Sequence, residues 1–228
     1  MRRRTIAGLL APALVLLAFA PGAPARTTHT PVGEALARED LLRAHDLGRG
    51  WSVASPAPTR VPPLTCRRFS PRTDARLEIG AAASPTLQAS TTGPFVAQTA
   101  YAFATGAAES LVWRTVVRPP LLACVAEGLA GGSGAGVAFK ISAKRLLAVG
   151  KLAVAAAGFS VTASATSLEV PTDVYLEAVV LGHGRTITEI SVSGFDQGEA
   201  RSEVLRLARL LAGRIARARS ATAPPATR

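Results

Sequence analysis

The spacing of apolar positions changes several times along this chain, and each change marks an element. Thr30-Pro31 can cap and open a helix that carries Ala35, Leu36, Leu41 and Leu42 and stops near Leu47-Gly48. Gly50-Trp51 follows, and a proline-rich linker over 56–63 delivers the chain in an extended or turn conformation to Cys66. Two segments then alternate with period two: Leu77, Ile79, Ala81 and Ala83, and next Phe95, Ala97, Thr99, Tyr101 and Phe103. Both read as strands with one buried face, separated by turn signals at Ser84-Pro85 and Thr92-Gly93-Pro94.

From Thr105 the recurrence shifts to three and four, through Ala108, Leu111, Val112 and Thr115, which predicts a helix ended by Pro119-Pro120. A second short helix over 121–129 carries Cys124. Beyond the glycine-rich stretch 131–136, Val137, Phe139 and Ile141 resume the alternation. Phe159, Val161, Ala163 and Ala165 set against Ser160, Thr162, Ser164 and Thr166 make the cleanest strand pattern in the chain. Segments 174–181 and 186–192, joined by Gly182-His183-Gly184-Arg185, form a hairpin. A final helix over 198–219 places Val204, Leu207, Ala208, Leu211, Ile215 and Ala218 on one stripe, with Arg206, Arg209 and Arg217 on the other side. No helix alternates with single strands in the βαβ manner, so the expected class is α+β: a single domain with helices packed on an antiparallel sheet.

The ends of the chain add a compartment. Arg2, Arg3 and Arg4 precede an apolar run over 6–20 and an Ala23-Pro24-Ala25 cleavage pattern, so 1–25 is expected to be an export signal. Residues 26–31 then form a short linker, 32–219 the domain and 220–228 a disordered tail. No later segment is apolar enough to span a bilayer, which makes the expected product secreted or extracytoplasmic with no transmembrane segment after signal cleavage. In an oxidising compartment the only two cysteines, Cys66 and Cys124, can pair with each other. The alternatives are buried free thiols or an intermolecular bridge. The formal charge is +11, of which the three leader arginines account for three, so +8 remains on the exported part. Such a balance fits an anionic cell-wall polymer or acidic lipid better than nucleic acid, or it is a basic surface with no partner.

Chemistry-bearing motifs are absent from the sequence. Ser133 follows Gly131 as in a nucleophile elbow, but Ala135 stands where the second glycine belongs. The same glycines lack the endings that cradle phosphates. His29, His45 and His183 are isolated, so no metal set and no cofactor is expected. Glu169, Asp173, Glu177 and Glu189 leave paired carboxylates for glycoside chemistry open, but they sit in strand contexts shared with ordinary surface charges and select no role. Trp51, Tyr101, Trp113 and Tyr175 are the large amphipathic rings, and they are the candidates to line a ligand pocket.

The order Asp46-Leu47-Gly48-Arg49-Gly50-Trp51, then Cys66, the strand 95–103, the helix with Trp113, Cys124 and the closing strands and helix resembles the extracellular sensor domain of the actinobacterial serine/threonine kinase PknH and its secreted and lipoprotein relatives. The resemblance covers roughly residues 32–218. It implies an antiparallel sheet with packed helices, a cleft, and binding of a cell-envelope ligand. Members of that family often carry more cysteine pairs, and no kinase domain is present here. The expectation is therefore a non-enzymatic binding domain for a small apolar or envelope-derived ligand. A basic module docking on an anionic surface and an unrecognised hydrolase are the rivals.

Overall fold

A computed structural model describes residues 29–61, 77–116, 122–123, 126, 139–165 and 172–222. Within them the chain forms α1 (Pro31–Glu39), α2 (Ala44–Leu47), β1 (Ser52–Ser55), β2 (Glu78–Ala83), β3 (Thr86–Gln88), β4 (Phe95–Phe103), α3 (Gly106–Val116), β5 (Phe139–Leu147), β6 (Ala155–Ala165), β7 (Thr172–His183), β8 (Thr186–Gly194) and α4 (Gln197–Thr222). All eight strands join one open sheet in the order β1-β3-β4-β8-β7-β6-β5, with β2 sharing the outer side of β4. Every pairing is antiparallel. This is the α+β architecture that the alternation predicts. The expected signal segment 1–25, Cys66, Cys124, Ser133, Val137, Glu169 and most of the helix expected over 121–129 lie outside the described residues.

Helices cover the sheet on both faces. On one face α4 buries Val204, Leu207, Ala208, Leu211 and Ile215 against Val96, Val179, Leu181, Ile190 and Val192. Each fully buried aliphatic side chain contributes roughly 1.5–3 kcal/mol, so this contact dominates the attachment of α4. Its first turn is capped by Asp196, whose carboxylate accepts the Glu199 amide at 2.8 Å. The buried Glu177 adds a polar tie across the same contact. Its Oε1 accepts from the Ser160 hydroxyl at 2.9 Å and from the Arg201 guanidinium at 3.4 Å.

Beside α4, α1 lies on β2 and β4 over Ala37, Ala82, Ala100 and Ala102. The approach is backbone to backbone: a methyl group on Gly33 would come within 2.1 Å of the Ile79 carbonyl oxygen. The single helix expected from Thr30 to Leu47 is broken in two, because the sheet captures its middle. Gln98 on β4 accepts from the Leu42 amide and donates to the Asp40 carbonyl at 2.8 Å, and the Thr186 hydroxyl donates to the Asp40 carboxylate. Arg214 of α4 closes the arrangement, donating to Asp46 at 3.0 Å and to the Leu41 carbonyl at 2.8 Å.

The other face carries the second apolar cluster, built on Tyr101, Phe103, Phe159, Val161, Val174, Leu176, Val180 and Ile187. Here α3, capped by Thr105 at 3.1 Å from the Ala108 amide, contributes Ala108 and Val112. Leu111, expected inward, is 37% exposed. The helix is rolled so that Glu109 and Trp113, one turn apart, meet the sheet at Gly182. A methyl group there would lie 2.4 Å from the Trp113 ring and 2.8 Å from the Glu109 carboxylate, so only glycine lets α3 close down.

Candidate functional site

The second face acquires its chemistry from the register of four adjacent strands. Strand β8 sends Ile187, Glu189, Ser191 and Ser193 to this side in succession, about 7 Å apart. Across the ladders they align with Tyr101, Thr99, Ala97 and Phe95 of β4, and with Gly182, Val180, Ala178 and Leu176 of β7. Ala157, Phe159 and Val161 of β6 extend three of those rows. Across β4, β8 and β7 the row Ala97-Ser191-Ala178 consists of small side chains; it ends at Phe159 on β6 and is flanked by rows bearing Phe95 and Leu176 on one side and Thr99, Glu189 and Val180 on the other. These rows form the floor of the candidate site, and it is buried: Phe95, Ala97, Ala178 and Val180 are each at most 7% exposed. The Ser191 hydroxyl turns down onto the Ala97 carbonyl at 3.3 Å.

Glu189 is the buried carboxylate of β8; Glu177, on the opposite face, likewise keeps one buried oxygen without a hydrogen-bond partner among the described residues. Glu189 is 6% exposed, and its Oε2 has no hydrogen-bond partner among the described residues. Burial in apolar surroundings raises its pKa from 4.5 to about 7, so near neutrality the site holds a carboxyl poised between its acid and its anion. Two rows away, the buried Ser193 hydroxyl also has no partner among the described residues. Tyr101, fully buried one row from Glu189 on the side away from Ser193, has its phenol pushed well above its ordinary value, first by burial and then by the carboxylates of Glu189 and Glu78, with a hydrogen bond from Thr99 opposing. A carboxyl that can donate when protonated and accept when ionised, with a hydroxyl beyond it and aromatic and aliphatic walls around it, can fix the polar end of an otherwise apolar molecule.

The sequence candidates divide between the two faces. Tyr101 and Trp113 belong to the cluster on the Glu189 side, Trp113 half-buried at the α3 end. Trp51 packs on the opposite cluster, among Leu42, Leu47 and the α4 stripe. Tyr175, half-buried near the start of β7, shares by alternation the face of Glu177 and Val179. Glu177 and Glu189, whose strand contexts in the sequence select no role, are both buried; Asp173 is exposed, where it accepts from the Ser164 hydroxyl. His29 is not isolated, since its ring bonds Glu78 at 2.8 Å. Among the described residues no three His, Cys, Asp or Glu side chains group as metal ligands, and no helix is long and apolar enough to cross a membrane.

No protein-family model matches the chain, and no curated protein matches it. Among solved structures, the extracellular domain of PknH from Mycobacterium tuberculosis is similar to it with a TM-score of 0.46 and 10% identity, over 83% of this chain and 99% of that one. That is a weak likeness of overall fold, so the reading of the site rests on this chain's own residues.

Proposed function

We propose that the domain is a non-enzymatic binding module that holds a small, largely apolar molecule against the Glu189 face of the sheet. The observation that carries this reading is the buried Glu189 carboxyl with an unpartnered oxygen, set in a floor of Ala97, Ser191, Ala178 and Val180. An unsatisfied buried polar atom costs about 1–3 kcal/mol, and a ligand that bonds it recovers that cost on binding. The ligand therefore carries a hydroxyl or amine donor on an apolar body, as an amphiphile of the cell envelope does. Tyr101 and Trp113 supply aromatic wall on this side, and Ser193 offers a second polar contact.

Native mass spectrometry and organic extraction of purified protein test the proposal. A co-purifying amphiphile whose occupancy falls in Glu189→Ala supports it. Protein that is consistently empty, and whose melting temperature no member of an amphiphile panel moves, refutes it. An esterase, peptidase and glycosidase screen serves as the counter-test, since turnover lost in Glu189→Gln would replace binding by hydrolysis.

A further inference from the structure

The chain spends arginine freely but has only three lysines, Lys140, Lys144 and Lys151, and all three fall on β5 or on the loop joining it to β6. Arg145 stands among them, and between Glu127 and Glu169 the sequence contains no aspartate or glutamate. The four cations are exposed, and none forms an ion pair among the described residues. Arg38, Arg201, Arg206 and Arg214 each have a carboxylate partner, whereas the exposed Arg43, Arg49, Arg60 and Arg209, spread over other elements, form no ion pair among the described residues either. An acidic residue on a neighbouring element, Asp173, lies two strands inward and is bound by Ser164.

Strand β5 is the last strand of the sheet order, paired only with β6. A register shift between Ile141 and Ala143 breaks its alternation. Lys140 and Arg145 consequently share a face with Ser164 and Ser160, whereas Lys144 and Leu146 share the opposite face with Val161 and Phe159. With cations on both sides of the strand, it is the margin of the sheet, rather than either face, that presents the charge. Leu146 sits in this margin 64% exposed, next to Arg145 and near the hairpin end that carries Lys151. Cations with no ion pair among the described residues, flanking an exposed aliphatic side chain, are the combination that the headgroup and acyl boundary of an anionic bilayer satisfies.

We infer that the β5 margin and the following loop dock on a membrane surface rich in acidic phospholipid. A soluble polyanion engages the cations but has no use for Leu146, so the aliphatic residue separates the two partners. Lysines on an edge strand also discourage edge-to-edge pairing between copies, and that role alone requires no lipid.

Sedimentation with vesicles of equal parts phosphatidylglycerol and phosphatidylcholine, compared with phosphatidylcholine alone, tests the inference. Binding is expected only to the anionic vesicles, falling at least about tenfold between roughly 0.05 and 0.5 M salt. Lys140→Gln with Lys144→Gln lowers the partition coefficient about tenfold or more. Leu146→Ser lowers it several-fold with the charge intact and leaves retention on immobilised polyphosphate unchanged. These positions are exposed, and unaltered melting temperatures confirm that the variants are folded. Failure to bind anionic vesicles overturns the inference in favour of edge protection alone, as does equal binding to both vesicle types. Vesicle binding indifferent to Leu146→Ser overturns it in favour of a soluble polyanion.

Discussion

Replacing Glu189 by glutamine should stabilise the ligand-free protein in alkaline solution. In the folded chain this carboxyl keeps its proton up to about pH 7, whereas a glutamate in its ordinary environment releases it near 4.5. Between those values the native state binds more protons than the unfolded state, so stability falls as pH rises through the window. The gap, at about 1.4 kcal/mol per pH unit, makes the ionised form cost about 3 kcal/mol once pH exceeds 7. Glutamine has the same shape and no charge to desolvate. Glu189→Gln should therefore gain about 3 kcal/mol at pH 8.5, equivalent to roughly 6–12 °C in melting temperature for a domain of this size, and should match the parent near pH 4. Thermal melts of both proteins across that range form the assay. A variant that is no more stable than the parent at pH 8.5, or a difference that does not shrink on acidification, would refute the claim that Glu189 is buried without compensation.

Three further outcomes follow from the packing. Gly182→Ala pushes a methyl group into the Trp113 ring and the Glu109 carboxylate, and should cost about 1–3 kcal/mol in urea unfolding; an unchanged midpoint would mean that α3 does not close onto β7. Gln98→Ala removes the bonds to Leu42 and Asp40 and should cost about 1–3 kcal/mol, with amide exchange in α1 accelerating more than in β6. For the cysteines, whose pairing is a sequence expectation, Cys66→Ser or Cys124→Ser should lower stability by about 4 kcal/mol; equal melting temperatures with and without reductant would show that no intramolecular bridge exists.

How much of this was legible beforehand depended on whether an element declares itself locally. Strand β6 did, because Phe159, Val161 and Ala163 are buried while Thr162 and Ser164 are not, and the α4 stripe did for the same reason. Strands β1 and β3, four and three residues long, exist through their pairing and carry no period of their own. The break after Glu39 was invisible because the groups that capture Asp40 and Leu42 come from β4 and β8, far along the chain. Tyr101 is a candidate from sequence, whereas the burial of Glu189 is not legible there, for a definite reason. A glutamate alternating with apolar residues signals a solvated face only when the sheet has one, and β4, β7 and β8 are covered on both sides.

The ladder between β4 and β8 joins Phe95 to Ser193, so the centre of the sheet is a seam between the early and late parts of the chain. Strands β5 to β8 form a contiguous meander whose pairings are local, whereas β4 with its partners and α1 must arrive from far away in sequence, the slower kind of closure. Thr99 and Glu189 face each other across that seam. An occupant of the floor would rivet the two parts together, and the amides it slows most against solvent exchange should be those bridging β4 and β8.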